Sequence, residues 1–459
     1  MTRASARATA PPDLVRLLLV ASVVLITLVA FENLAASAAL PAVSEELEGL
    51  RLYPVAAGAP LAAQLVATAV AGRWADARGP RPVLLLGLVL FPLGLVLAGT
   101  APTMEVLALG RGVQGLGGGF LIVPLYVLVG AIVPPARQPG FFAWFSAAWV
   151  VPALGGPALT GLVVDHASWR WVFLGAAVLV GTAALSFTPL LRHMPARGTA
   201  HASGPAVRGL VLAATGAGAA VAVLQVAGSA QQGWSLPAVG MALAVLAVCL
   251  PRLLPSGTVR LRAGVPAAVA CRALLNATFM TSQTFLPLLL VREYGWSVTA
   301  AGFVVAVSSL TWAVGAFVQG RVASEAGRAR LTWAGPLVLA VGTLVTAGAA
   351  LPGASPWLAV PGSAVAGLGI GMVYPALTVL ALRLTPAAQH GEVSASLQVA
   401  DALGAATGLA ASGAIVLALI DSGGTVAYLA GLLLATAVGL LATAAGARAP
   451  RNSSALADA

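Results

Sequence analysis

Fourteen apolar runs, each about the length of a membrane-spanning helix, follow one another along this chain of 459 residues. A helix that crosses a bilayer needs about 20 mostly apolar residues. With 59% hydrophobic and only 8% charged residues, the chain has too few charges to cover the surface of a soluble protein of this size. The sequence therefore predicts an all-α polytopic membrane protein. The fourteen predicted helices cover residues 14–40, 52–71, 83–100, 104–131, 141–163, 171–190, 208–227, 236–254, 265–291, 300–319, 331–350, 357–382, 392–419 and 425–446.

The positions of the arginines predict how these helices are oriented. All 24 basic residues are arginines, and nineteen fall on the cytoplasmic side when the N-terminus is placed there. Three others (Arg51, Arg170 and Arg292) fall outside, and Arg111 and Arg272 lie within helices. Basic residues hold short loops in the cytoplasm, so we expect both termini there, in a protein of the cell (plasma) membrane. Anionic lipid headgroups then account for the net charge of +10, and no nucleic-acid partner is expected.

Two similar basic segments indicate an internal repeat. GRWADARGPR (72–81) follows the second predicted helix and GRVASEAGRAR (320–330) follows the tenth, and both are expected to be turns. Such repeats are typical of secondary transporters. We therefore predict two six-helix halves, residues 1–191 and 265–459, with two inserted transmembrane helices in residues 192–264.

Glu32 is a carboxylate within the first apolar run. A charge at the bilayer centre costs about 2.5 kcal/mol or more, so the side chain should face a cavity or a partner. Arg111 is the expected partner, because at about 1.5 Å per residue both lie roughly 10–12 Å below the outer surface. Burial favours the neutral carboxyl and the arginine favours the carboxylate, so protonation is expected to depend on which side the cavity opens. The alternative is a structural ion pair that locks the first helix to the fourth.

Asp401 is the other deeply placed carboxylate, and with Glu32 and Arg111 it completes the predicted proton-coupling set. Two polar stripes at helical spacing accompany it, namely Ser394, Gln398 and Asp401, and Arg272, Asn276 and Gln283. The stripes are expected either to line a substrate path or to satisfy one another between packed helices. Aromatic rings nearby offer faces to an apolar or cationic substrate, with ordinary packing as the alternative. The candidate substrate cavity is Asn33, Gln114, Trp149, Asn276, Phe279, Gln283, Tyr374 and Gln398.

Five ordered motifs between residues 31 and 173 resemble those of the major facilitator superfamily. They are Phe31-Glu32-Asn33 with Ala39-Leu40-Pro41; Gly72, Asp76, Gly79, Arg81 and Leu84; Leu107, Arg111, Gln114, Gly115 and Gly117; Gly156, Pro157 and Gly161; and Trp169-Arg170-Trp171-Val172-Phe173. The chain departs from the pattern at Ala77 in the basic turn and at Ser324 in its repeat. The motif of the fifth helix is partial, with Pro152 and Thr160 in place of glycines.

This resemblance implies the major facilitator fold, and the helix count points to the fourteen-helix drug/proton antiporters. Gly156, Pro157 and Gly161 would be the antiporter motif. Gly72, Asp76, Gly79 and Arg81 would form a conformational latch, with Gly72 permitting close helix approach and the Asp76 carboxylate meeting the positive N-terminal end of the thirteenth helix. An ordinary solvated turn is the alternative.

The sequence favours a proton-coupled exporter of a small hydrophobic or amphipathic compound, working by alternating access. An uptake symporter or facilitator of a small metabolite is the first alternative, and a non-transporting membrane scaffold or sensor is the second. No catalytic, metal or cofactor constellation is found, so we expect no enzymatic activity and no cofactor, with the proton gradient as energy source. The expected partners are the substrate and the lipid bilayer, and the protein is expected to be a monomer.

Overall fold

The computed structural model describes residues 12–134, 141, 144–145, 148, 150–193, 205–229, 235–322, 324–386, 390–420 and 424–452. The fold in this part is helical, and a short helix, Thr188–His193, accompanies the long ones. The long helices are α1 (Pro12–Glu46), α2 (Tyr53–Arg78), α3 (Pro80–Gly99), α4 (Met104–Ile132), α5 (Val150–His166), α6 (Arg170–Leu185), α7 (Pro205–Ser229), α8 (Ser235–Leu253), α9 (Val265–Tyr294), α10 (Val298–Gly320), α11 (Glu325–Gly348), α12 (Ala359–Arg383), α13 (His390–Leu419) and α14 (Val426–Arg448).

Ten of the described helices are long and apolar enough to cross a membrane: α1 to α4 and α9 to α14. Three shorter apolar segments, Arg170–Leu185, Val211–Val226 and Pro237–Leu253, lie in α6, α7 and α8. Exposed large apolar side chains occur along these helices, for example Val89, Leu109 and Leu440. A surface of this kind is compatible with lipid around the bundle, and the all-helical membrane fold is confirmed.

Helices pack in the same pattern in the first six and the last six of the chain. In the first group α4 packs on both α2 and α3, and in the last group α12 packs on both α10 and α11. The two groups meet where α5 packs on α10 and where α2 packs on α13. We call the first group, α1 to α6, the first bundle and the last group, α9 to α14, the second bundle. The division of the chain at residues 191 and 264 itself stays a prediction.

The whole set of helices has two ends. We call the end at which α1 begins and α14 ends the near face, and the end at which α1 ends and α2 begins the far face. Three hydrogen bonds between described residues join the two bundles at the far face. The Tyr53 hydroxyl donates to the carbonyl of Thr284 over 2.8 Å, and the backbone amides of Val298 and Thr299 donate to the Asp165 carboxylate.

Several helices extend beyond their predicted ends. α1 continues through Pro41 to Glu46, although the prediction ended it at residue 40. α2 continues through the first basic segment to Arg78, so the turn expected at 72–81 is reduced to Gly79, with φ of 82°. α11 begins at Glu325, inside the second basic segment, where the Ser324 side chain accepts from the amide of Gly327. The turn prediction was wrong for most of residues 72–81 because nothing before Gly79 breaks the helix.

The inserted helices α7 and α8 pack unequally on the rest. α7 contacts α2 of the first bundle and α13 of the second, whereas α8 packs chiefly on α7. Gln225 of α7 is 2% exposed and lies against Gly58 of α2, and neither of its amide atoms has a hydrogen-bond partner in the described part of the chain. α7 therefore bridges the two helices that meet at the α2–α13 contact.

Candidate functional site

A buried polar cluster lies between α1 and α4. The Glu32 side chain is 0% exposed, and Arg111 and Gln114 are 2% and 1% exposed. Arg111 Nη1 lies 2.5 Å from Glu32 Oε1 and 2.6 Å from Gln114 Oε1, and Gln114 Nε2 donates to Glu32 Oε2. Each carboxylate oxygen thus receives a donor. The structure contains the Glu32–Arg111 pair that the predicted depths indicated.

The backbone of α2 forms one wall of this cluster. Arg111 Nε points to the carbonyl of Ala56 on α2, 3.5 Å away, which is at the limit of a hydrogen bond. Gly115, one residue after Gln114, lies so close to Pro60 of α2 that an added Cβ would overlap its backbone. The glycines of α4 therefore let α2 approach closely enough to enclose the ion pair. This enclosure strengthens electrostatic interactions within the cluster and makes any unpaired charge there costly.

A second polar cluster lies in the second bundle, around Asp401 on α13. Arg272 of α9 donates to both carboxylate oxygens, with Nε 2.8 Å from Oδ1. Asn276 Nδ2 donates to Oδ1 over 2.8 Å, and the Tyr374 hydroxyl donates to Oδ2 over 2.7 Å. Arg272 Nη1 also donates to the hydroxyl of Thr378 over 2.7 Å. The two stripes predicted from the sequence thus meet through Arg272, Asn276 and Asp401.

Three aromatic rings adjoin this second cluster. The Arg272 guanidinium lies over the ring of Tyr374, 3.5 Å from its centroid. Trp312 of α10 contacts Tyr374 with centroids 5.5 Å apart and meets Phe279 edge-on at 5.1 Å. Phe279 is buried, whereas Trp312 and Tyr374 are half-buried. The sequence reasoning missed Trp312 and Thr378, because neither carries a charge or belongs to a motif.

The predicted antiporter motif lies where α5 contacts both α1 and α10. Gly156 faces Phe31 of α1, and a Cβ there would be 3.5 Å from its ring. Gly161 and Gly302 bring the backbones of α5 and α10 into direct contact, because a Cβ on Gly302 would lie 2.9 Å from the carbonyl carbon of Pro157. The motif therefore lies in the contact between the two bundles, close to the far face.

The predicted latch lies at the near face, at the junction of α2 and α3. Gly79 has φ of 82°, a backbone conformation that glycine tolerates without strain, and Arg81 is exposed on α3. No described atom lies within 4 Å of where a Cβ on Gly72 would be. Among the residues that the structure describes, none makes the close helix approach expected at Gly72. The side chain of Asp76 lies outside the described part, and the latch stays a prediction.

The other predicted cavity residues are dispersed. Asn33 is half-buried and donates to the carbonyl of Val29 in its own helix over 2.8 Å. Gln283 donates to the Ser308 hydroxyl of α10 and not to the Asp401 cluster. Gln398, one turn before Asp401, is exposed, and Trp149 lies outside the described residues. The structure brings Asn276, Phe279 and Tyr374 together with Trp312.

Each of the two similarly packed groups holds an ion pair among its helices, Glu32–Arg111 buried and Arg272–Asp401 partly exposed. Ion pairs in such positions are typical of transporters. Comparison with known proteins identifies the family. The sequence profile of the Major Facilitator Superfamily matches residues 22–409 and 268–458. The chain belongs to the Major Facilitator Superfamily. It is a multi-pass membrane protein and a transporter, not an enzyme.

Three relatives are 25–29% identical to this chain over the aligned residues. A probable multidrug-efflux transporter of Mycobacterium tuberculosis is 28% identical over 419 residues, covering 87% of each chain. The multidrug transporter protein MdtP of Bacillus subtilis is 25% identical and covers 82% of this chain and 71% of its own. A probable actinorhodin transporter of Streptomyces coelicolor is 29% identical, over 78% of this chain and 64% of its own.

A crystal structure of a POT family transporter in complex with a thioalcohol-conjugated peptide has a similar fold. It superposes with a TM-score of 0.68 over 93% of this chain and 94% of its own, at 17% sequence identity. At this identity the similarity establishes the fold alone.

Proposed function

We propose that this protein exports a small hydrophobic or amphipathic, drug-like compound from the cell in exchange for protons. It lies in the cell membrane with both termini in the cytoplasm, so the near face is the cytoplasmic one. The two bundles rock about a central site, and proton and substrate compete for overlapping states. Each ligand shifts the balance between the inward-open and outward-open conformations only by binding one of them more tightly than the other.

The buried Glu32 carboxylate carries this proposal. It is enclosed with one cation, Arg111, and one amide, Gln114, so the cluster is neutral when Glu32 is charged. Protonation of Glu32 leaves Arg111 as an unpaired buried cation, which is unfavourable. A rearrangement that hydrates Arg111 or gives it another partner then becomes favourable. In this way a proton arriving at Glu32 is coupled to a change in how α1 and α4 pack.

The second cluster supports a substrate-binding role for the second bundle. Gln398 is exposed one turn before Asp401, toward the near face, and the Asp401 side chain is itself 13% exposed. Water and solutes therefore reach this cluster more readily than they reach Glu32. The Trp312 ring is suited to flat apolar or cationic groups, whereas one face of Tyr374 is already covered by the Arg272 guanidinium. Exchange at Asp401 from the cytoplasm is a second proton-coupling step in this proposal.

Export is supported by the relative from Mycobacterium tuberculosis, which is named a probable multidrug-efflux transporter. The other two relatives, a multidrug transporter and a probable actinorhodin transporter, support a drug-like substrate. Uptake, by symport or by facilitated diffusion, remains the alternative because the α5 motif is partial, with Pro152 and Thr160 at two of its positions. A transporter-like scaffold without flux is the second alternative.

Inverted membrane vesicles distinguish these functions. Vesicles acidified inside contain protein whose cytoplasmic face is outward, and ethidium serves as the amphipathic probe. An exporter takes up ethidium and releases protons, so the internal pH rises on addition of the probe. We expect Glu32→Gln to abolish this proton release, because glutamine cannot exchange a proton.

The matched control is Glu46→Gln, the same substitution on the same helix. Glu46 is an exposed carboxylate that accepts from the Trp169 ring nitrogen over 2.8 Å, so its loss should leave proton release intact. Proton release that survives in Glu32→Gln would disprove the coupling role. Probe movement in the opposite sense would support uptake, and no flux across a panel of substrates would support a scaffold.

A further inference from the structure

Asp165, at the end of α5, connects the two bundles in a way that the sequence motifs do not indicate. Its carboxylate accepts hydrogen bonds from two backbone amides of the second bundle, Val298 N at 3.2 Å and Thr299 N at 3.0 Å. These are the first two residues of α10. The contact lies at the far face, where the bundles meet.

The first turn of a helix has amides without partners in the helix, and these carry partial positive charge. In α10, side-chain oxygens of two residues accept hydrogen bonds from these amides. Ser297 accepts from the amide of Ala300 over 3.1 Å and belongs to the same bundle as α10. Asp165, which belongs to the other bundle, accepts from the two preceding amides, those of Val298 and Thr299. One helix end is thus capped from both sides of the interface, and only the Asp165 cap is lost when the bundles separate.

The close contact between α5 and α10 positions the carboxylate. Gly161 lies against the backbone of Thr299 with no room for a Cβ. Asp165 follows Gly161 by four residues, so both lie on the same face of α5. The glycine sets the distance between the two helices, and the carboxylate one turn later reaches the end of α10.

We propose that Asp165 is a positioning residue of the transport cycle, whose carboxylate holds the far face closed and stabilises the conformation open to the near face. The contact breaks when α5 and α10 separate to open the far face. This role rests on the alternating access of the proposed function, and it requires neither proton coupling nor a particular substrate. The sequence predicts the same chemistry at the near face, where Asp76 would meet the N-terminus of α13 in the opposite conformation.

Distances between spin labels test this proposal without substrate or gradient. Cysteines at Thr103 and Leu351 place one label on each bundle at the far face, where both residues are exposed, and the native Cys249 and Cys271 are buried. A charge at a helix end is worth about 0.3–1 kcal/mol, which corresponds to about a two- to fivefold population change. The longer distance between the labels represents the conformation open at the far face. We expect Asp165→Asn to increase its population relative to that of the shorter distance by this factor, and Asp165→Ala to increase it at least as much.

Ser297→Ala is the matched control, because it removes a cap from the same helix end without touching the other bundle. It should leave the distance distribution unchanged. Each variant is first shown to elute as the wild-type protein does in gel filtration. The proposal is overturned if both Asp165 variants have the wild-type distribution, or if Ser297→Ala shifts it as much as they do. Either result leaves the proton-release experiment on Glu32 unaffected, so the two proposals fail separately.

Discussion

At the scale of single residues, the ion pairs of the first and second bundles differ in how far they are enclosed. Glu32 and Arg111 are almost fully buried and share one amide, whereas Asp401 is partly exposed and accepts from three side chains. Removing one partner of a buried pair leaves a charge that neither water nor protein compensates, and this typically costs about 3–5 kcal/mol. The enclosed pair should therefore be the more sensitive of the two to single substitutions.

This difference predicts a strong energetic coupling between Glu32 and Arg111. We expect Arg111→Gln to lower the stability of the protein by about 3–5 kcal/mol, because it leaves Glu32 charged and unpaired. The double variant Glu32→Gln/Arg111→Gln should lose less than the sum of the two single losses, since it contains no buried charge at this site. Thermal unfolding in detergent of all four proteins measures the coupling. Additive losses would mean that the two side chains do not depend on each other.

The sequence allowed one of these pairs to be predicted directly and left the other open. Glu32 and Arg111 could be matched because each lies in an apolar run, at a depth that follows from the helix rise. Arg272 and Asp401 each belonged to a recognisable stripe, but their contact depends on how α9 packs against α13. Trp312 and Asp165 gave no signal, because a tryptophan in an apolar helix and an aspartate at a helix end are both common.

At the scale of helices, the sequence predicted that each long helix exists, and was less accurate about its ends. Proline and basic residues usually mark helix ends in soluble proteins. In α1 the helix passes through Pro41, because membrane helices tolerate proline when neighbouring groups compensate. In α2 it passes through Arg73, because arginine is itself a good helix former. The contact between α5 and α10 was also beyond prediction, since a partial motif does not say which helix its glycines face.

The α5–α10 contact predicts different outcomes for alanine substitutions at two nearby glycines. Gly161→Ala should destabilise this conformation by about 1–3 kcal/mol, because the added methyl would overlap the backbone of Thr299. Gly155→Ala, on the same helix, should have little effect, since Gly155 is exposed and no described atom lies within 4 Å of its Cβ position. The unfolding midpoints of the two variants test this. Equal midpoints would mean that α5 and α10 are not in close contact in the membrane.

At the scale of the whole molecule, the described contacts indicate a protein closed at the far face. Tyr53, Asp165 and the glycines of α5 and α10 all join the bundles there. Toward the near face Gln398 is exposed and no described atom occupies the space beside Gly72. The resemblance to a family predicted the architecture and its alternating access, but a family does not determine which of its conformations a given structure adopts.

The accessibility of α13 tests this conformation. A cysteine at Gln398 should react with a membrane-impermeant maleimide added from the near face, because that position is exposed. A cysteine at Ser412, which is 1% exposed on the same helix, should react from neither side. Mass spectrometry of the labelled protein measures both, and the unmodified protein with its two buried cysteines gives the background. Reaction at Gln398 only from the far side would mean that the protein is open at the far face and closed at the near face.

Gly79 has a consequence for how motion travels through the first bundle. A single residue connects α2 to α3, so the end of α2 and the start of α3 cannot move far apart. α2 contacts the second bundle through α13, so a displacement of α2 would also move the start of α3 through this one-residue connection. The two helices should consequently behave as one bent lever rather than as independent rods.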